Sequence, residues 1–555
     1  MSPLRCFACC AVTLLVAEVA LAQETTRVSV DSGGAEGDGG SGMAWISADG
    51  RCVAFGSFAS NLVSGDTNGR VDIFVHDRVT GVTERVSVDS SGAEANHDSA
   101  WVSISADGSV VAFSSWASNL VTGDTNSLAD VFVHDRSTGI TECVSVDMGG
   151  VPGNNMSFFH SISADGRFVA FDSSSSNLVS GDTKNYQDVF VRDRLTGITG
   201  RVSVDSSGNQ ANGNSYRPAI SADGRFVAFS SSASDLVAGD SNGHIDGFVH
   251  DRSTGITELV SVDSSGSQGN GDSHPATISP DGQVVGFMSL ATNLDANDSN
   301  SFTDVYIHDR ASGLTECVSI NTLGSAGNED SFLPIAFSAD DRFVTFSSAA
   351  SDLITSDKNG SYDVFLRDRD AGVTERVSVD SSGAEANAGS VGGSISSNGE
   401  LVAFSSSASN LVANDTNHDG DSFVYDRCDA LWLNYDNGFP GTLGIPGFTA
   451  ESDPVLGSTL TLDLDNSYGA STTTGLLFLG FQRASLPTAW GGNLLVKPTF
   501  AIWIVVPASG VSITSTLPND PSLCDFAVEI QVLEIDPGAV KGVSFTPGLE
   551  LVLGR

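Results

Sequence analysis

Asp66, Asn68 and Asp72 place three oxygen-bearing side chains within seven residues, in the stretch GDTNGRVDIFVHDR that begins at Gly65. Calcium takes roughly six to eight oxygens, and loops supply them from alternate residues. Gly69 would allow the sharp bend such a loop needs. The same triplet recurs as Asp124, Asn126 and Asp130, as Asp240, Asn242 and Asp246, and as Asp298, Asn300 and Asp304. Two readings fit. In the first, each loop is a calcium site, although it lacks the fifth-position ligand and the twelfth-position glutamate of an EF-hand. In the second, Asp and Asn side chains bond nearby backbone and simply shape a turn. One copy breaks the pattern with Lys184 in place of the asparagine.

Recurrence itself is the stronger signal. The stretch returns at Gly123, Gly181, Gly239, Asn297, Ser356 and Asn414, each time ending in an Asp-Arg pair. A second marker of the form ISADGRFVAF precedes each one, with its aspartate, or the residue aligned with it, at Asp49, Asp107, Asp165, Asp223, Asp281, Asp340 and Asn398. Asp49 to Asp107 is a step of 58 residues, and only Asp281 to Asp340, at 59, departs from it. A fixed period of this size signals stacked or radially arranged units.

Each unit reads as four strands. In the third, HSIS runs into an Asp165-Gly166 turn, and Arg167–Phe171 is a near-continuous apolar run suited to burial on both faces. A long polar loop leads to DVFVRDR, and ITGRVSVD alternates as a half-exposed edge strand does. Four antiparallel strands per unit and seven units make a seven-bladed β-propeller. The first RVSV segment, at Arg27, precedes the first ADG, and none follows Arg427. Val28–Val30 is therefore expected to supply the missing outer strand of the seventh blade and close the ring. The fold class is all-β, with the propeller over residues 23–427.

SADGRFVAFSS, and SPDG at Ser279–Gly282, resemble the repeat of TolB-like, WD40-like (PD40-type) propellers. That resemblance covers residues 25–427 and implies the fold; propellers host many functions. TolB carries an additional α/β domain that this chain has no room for. The ASNLVSGDTN…DVFVHDR form is similar to repeats of exported proteins from environmental bacteria. After Cys428 the period stops, and short strands between Gly, Pro and Asn turns predict a small β-sandwich over 428–555. This part resembles C-terminal modules of planctomycete-type exported proteins.

Residues 1–22 read as a secretory signal: Arg5, an apolar run, and Ala20-Leu21-Ala22 before Gln23. The expected location is outside the cell or in the periplasm, at the envelope. No later apolar run is long enough to span a bilayer, so no membrane insertion is expected. Five cysteines remain beyond the signal, too few for a disulfide framework. Cys143 and Cys317 stand where other repeats carry Arg85 or Arg201; Cys428 and Cys524 either pair or stay free. A net charge of -42, from 26 basic and 68 acidic residues, excludes nucleic acid as a partner and favours cations or a salty medium.

Other candidate chemistry is sparse. His76, His134, His250 and His308 interchange with Arg192, Arg367 and Tyr425, which speaks against a metal ligand or catalytic base and suggests a solvated strand end. Gly37, Gly39 and Gly42 match a dinucleotide fingerprint with no helix after it. Before each inner strand lies a variable position occupied by Gly42, Ala100, Phe158, Tyr216, His274, Phe332 and Val391. Phe158, Tyr216, His274 and Phe332, with neighbours Phe159 and Arg217, form either a recognition patch at the channel mouth or packing beneath their own loops. Three functions follow as expectations. The first is a non-catalytic exported propeller that binds a protein, peptide or glycan. The second is a calcium-dependent lyase, hydrolase or lactonase with its site in the channel. The third is a TolB-like partner in envelope assembly.

Overall fold

The computed structural model describes residues 25–427 except 299 and 356. In the C-terminal part it describes 431–435, 439–440, 442–443, 445–450, 459–469, 471–488, 493–517 and 527–552. Residues 1–22, read as a signal from the sequence, and Cys428 and Cys524 lie outside the described residues. Thr25–Asp426 is one compact unit and the part from Arg427 onward another.

The first unit contains seven four-stranded antiparallel sheets. Blade 1 runs through Ser41–Ile46, Cys52–Ser57, Asp72–Asp77 and Val82–Arg85, from inner to outer strand. Blades 2 to 6 repeat it from Ser99, Ser157, Ser215, Ser273 and Ser331. The second and third strands carry the core. Phe55 stacks on Phe74 with ring centroids 5.9 Å apart, and every blade repeats the pair, ending with Phe404 and Phe423 at 5.7 Å. Directly opposed aromatic residues are strong cross-strand pairs, which is why both strands read as continuous apolar runs.

Adjacent blades are joined at the rim by one recurring hydrogen bond. The Thr83 hydroxyl donates to the Val30 carbonyl at 2.5 Å, reaching the connection that leaves the preceding blade. Thr141, Thr199, Thr257, Thr315 and Thr374 do the same to Val88, Val146, Val204, Val262 and Ile320. Around the channel the ADG turns touch each other: Ala106 N–H donates to Ala164 O, Ala164 to Ala222, and Ala222 to Pro280. Gly224 is required in its turn. Its φ is +73°, and a Cβ there would meet the Phe168 ring of the preceding blade at 2.2 Å.

The seventh blade takes its outer strand from the N-terminus. The ladder uses Thr25, Thr26 and Arg27 against Tyr425, Val424 and Phe423, with Val28 N–H continuing to Ser422 O. This displaces the expected segment by three residues. In every blade the outer strand stops at the position of Arg85, and the Val-Ser-Val that follows turns away into a hairpin closed by a bridge such as Val88 to Glu94. Val86 and Val88 are both buried, so the alternation seen in the sequence does not mark two faces of one strand.

The C-terminal unit places a three-stranded sheet (Phe448–Ala450, Thr459–Leu464, Val511–Thr516) against a larger sheet built around Thr473–Gly480 and Ala527–Ile535. Leu460, Leu462 and Leu464 pack on Leu477, Ile504 and Val532 between them. It is a β-sandwich.

Deleting residues 23–31 should expose the edge of Asp421–Asp426 and remove Arg27 from its carboxylates. Thermal melting should drop by several degrees and aggregation should rise. An unchanged melting curve would show that the ring closes by other means.

Candidate functional site

The Asp-x-Asn loops lie where the second strand ends and the third begins, at one end of each blade. Asn68 is a strut there. Its Nδ2 donates to Asp72 Oδ2 at 2.6 Å and to Ala95 O at 3.0 Å, while its Oδ1 accepts Arg70 N–H at 2.7 Å. Asn126, Asn242 and Asn300 repeat the pattern onto Asp130, Asp246 and Asp304. Lys184 replaces the strut in blade 3, its Nζ donating to Gln210 O at 2.7 Å and Ala211 O at 3.2 Å. Asp72 is fully buried and accepts from the Ser87 hydroxyl as well.

The carboxylates converge on an arginine. Arg85 Nη1 lies 3.3 Å from Asp66, 3.5 Å from Asp72 and 2.9 Å from Glu94. Arg376 sits likewise among Asp357, Asp363 and Glu385, and Arg27 between Glu36 and Asp421. Arg201 contacts Asp182 and Asp188, with Gln210 taking the place of the glutamate. Where the arginine is replaced by Cys143, Leu259 or Cys317, the glutamate is replaced too, by Pro152, Gln268 or Ala326. The glutamate is lost with the arginine, since it would otherwise face two aspartates with no counter-charge; blade 3 keeps Arg201 without the glutamate because Asp182 and Asp188 still neutralise it. Burial pushes Asp130 up to about 6 and Asp304 to about 7 in the blades without the arginine, and it also raises Asp72, Asp188 and Asp363 beside their arginines.

The four repeated histidines are not at solvated ends. His76, His134, His250 and His308 are buried, each Nδ1 2.8 to 2.9 Å from a junction threonine hydroxyl. Because that hydroxyl gives its one proton to the neighbouring blade, the imidazole must be the donor, as neutral Nδ1–H. Arg192 and Arg367 donate to Thr199 and Thr374 in the same way, which explains the interchange. The Asp-Arg pairs divide the work. Asp77 Oδ1 accepts the turn N–H groups of Val79 and Thr80, while Arg136 and Arg194 reach Glu84 and Glu142 of the preceding blade.

Symmetry fails at the channel mouth. The variable residues are the second positions of the inner strands, and every inner strand shifts register just after them. Such bulges re-aim side chains. Met43, Trp101 and Arg217 hold left-handed φ values of 57°, 47° and 53° there, a strain that proteins retain where the surroundings enforce it. Phe158 and Phe159 meet at 5.3 Å, with Trp101 4.6 Å from Phe159 and Trp116 5.2 Å from Phe158. Arg217 lies 5.2 Å above the Phe159 ring. Tyr216 and His274 form a second contact at 6.1 Å, and Phe332 meets Tyr362 at 4.9 Å. A cleft of about 300 Å³ lies beside His274, Phe332 and Tyr362.

Trp101, Trp116, Tyr362 and Asp172 are absent from the sequence reading. Ala100 empties the variable position of blade 2, and only the bulge gives its neighbour Trp101 a place in the patch. Asp172 stands where other blades have Ser114 or Ser230. It accepts the N–H groups of Arg217 at 2.9 Å and Phe159 at 3.2 Å, and burial pushes it up to about 6.

Two outcomes are expected here. Arg85→Leu should destabilise the fold by about 3–5 kcal/mol. Adding Glu94→Gln, which reproduces the Leu259–Gln268 pair of blade 4, should recover most of that loss in thermal melts. For the histidines, burial lowers the folded pKa, so the unfolded chain takes up more protons below its ordinary value of about 6.5. Their contribution is present above that value and falls as pH drops toward the folded pKa. Replacing all four with arginine should flatten the melting-temperature profile between about pH 6.5 and 5. A profile as steep as the parent's would refute the assignment.

No protein-family model matches the chain, and no curated protein matches it. Among solved structures, the chain is similar to a TolB-type protein from Agrobacterium tumefaciens at 17% identity, over 50% of this chain and 79% of that one, with a TM-score of 0.31. It is also similar to oligogalacturonate lyase from Vibrio parahaemolyticus at 13% identity, over 74% of this chain and 96% of that one, with a TM-score of 0.43. Both likenesses are of overall fold.

Proposed function

We propose that the chain is an exported, non-catalytic propeller that binds a protein, peptide or glycan at its channel mouth, at the cell envelope or outside the cell. The observation that supports this is the split between repeated and unrepeated residues. Repeated polar groups are consumed by junctions, turns and ion clusters, whereas the unrepeated aromatic residues crowd the mouth of blades 2 to 6 on bulged, partly strained strands. Exposed aromatic surface next to a cleft is a recognition surface. The unrepeated His160 and Asp172 hold that surface: His160 Nδ1 lies 3.1 Å from Phe158 O, and Asp172 takes two bulge amides.

Trp101→Gly, Tyr216→Ser and Phe332→Ser together should abolish binding to ligands found on peptide and glycan arrays while melting within a few degrees of the parent. Glycine suits the left-handed φ at 101. Full binding by the triple variant would remove the mouth as the site, and turnover of a bound glycan or peptide would remove the non-catalytic reading.

A further inference from the structure

Arg217 is the only lysine or arginine on the seven inner strands. Among the described arginines it is also the one whose guanidinium makes no hydrogen bond or ion pair. In a chain with 68 acidic residues, an unpaired half-buried guanidinium is held apart by its surroundings rather than by a shortage of partners. Three features hold it. Its backbone is left-handed, its N–H is taken by Asp172, and its charge lies over the Phe159 ring. The nearby charge of Arg217 adds to burial in keeping His274 neutral, and the buried Nδ1 of that histidine has no partner.

The cleft next to His274 has a different character. Phe332, Tyr362 and Leu290 give it apolar walls, and Asp272 and Asp330 give it acceptors. Each aspartate uses one carboxylate oxygen on a loop amide, from Ile245 at 3.0 Å and from Thr303 at 2.7 Å, and the same oxygen of Asp272 also meets His244 Nδ1 at 3.1 Å. The second oxygen of each has no hydrogen bond among the described residues. Acceptor-only groups beside aromatic faces suit a ring that offers hydroxyl donors and an apolar face. They oppose the carbonyl oxygens of a peptide backbone. A ligand bound jointly by this cleft and Arg217 needs hydroxyls on a ring and one anionic group, and the net charge of -42 disfavours a dense polyanion.

Building on the mouth as the binding surface, we infer that the ligand is a glycan containing a uronic acid residue. Its carboxylate pairs with Arg217, and its neighbouring ring stacks in the cleft against Phe332 and Tyr362. The test is calorimetric titration of the full chain with a glucuronic-acid-containing tetrasaccharide and with its carboxyl-reduced counterpart. The acidic sugar should bind, and the reduced one should bind more weakly by about tenfold or more, the loss expected when a charge-assisted pair is removed. Arg217→Gly keeps the backbone conformation and should abolish the difference; Arg217→Lys should retain part of it. Equal binding of the two sugars, no binding of the acidic one, or a stronger response to a peptide with a free C-terminus would overturn the inference. In the last case the mouth remains a binding site, because the Trp101, Tyr216 and Phe332 substitutions still abolish the peptide signal. The two sugars compared on the parent protein decide the matter even where a substitution lowers stability.

Discussion

Every blade of this ring depends on its neighbour through one hydroxyl. A threonine on each outer strand gives its proton to the carbonyl that leaves the preceding blade, and in blades 1 to 6 a buried imidazole or half-buried guanidinium approaches that hydroxyl from behind. Such a chain of contacts has to be complete to be stable, since an open ring would leave a carbonyl and a strand edge exposed. The seventh junction is therefore the decisive one. Thr25 Oγ1 lies 2.5 Å from Val379 O, the same contact made by residues 354 apart in sequence. The N-terminal strand supplies at once the missing edge, the missing junction and the missing arginine.

Charge is handled blade by blade. Two buried aspartates at each loop need a counter-charge, and four blades use an arginine, three of them with an additional glutamate or, in blade 3, with a glutamine. The remaining three remove arginine and glutamate together and leave the buried aspartates to hydroxyl and amide donors such as Ser145 and Asn126. The variation between repeats is thus coupled. It follows from the cost of burying one ion without its partner, and it separates residues that maintain the fold from those that do not.

What escapes this coupling is centred on the inner-strand bulges and the residues that pack on them, Trp116, Asp172 and Tyr362. There each blade presents a different pair of residues, and the ring arranges them around one opening. Phe158, Phe159 and Trp101 come from two blades, Tyr216 and His274 from two more, and Arg217 faces both groups. A seven-fold scaffold with an asymmetric mouth keeps the residues that maintain the fold apart from those that vary from blade to blade.

The period, the strand count and the need for an N-terminal strand were all legible in the chain, because hydrophobic alternation and Asp-Gly turns are local properties. The Asp-x-Asn loops and the histidines were visible as patterns but not as roles. Whether Asn68 offers its oxygen or its amide, and whether His76 meets water or Thr83, depends on residues far along the chain. The closing segment was placed three residues late because Val-Ser-Val alternates like a strand while its hydrogen bonds go to a hairpin. The patch was read one residue short in blade 2, since a bulge breaks the two-residue periodicity that sequence reading relies on. Local pattern determined which elements exist; only closure of the ring decided which side chains face one another, because those contacts join residues that are distant in sequence and adjacent only once seven blades have met.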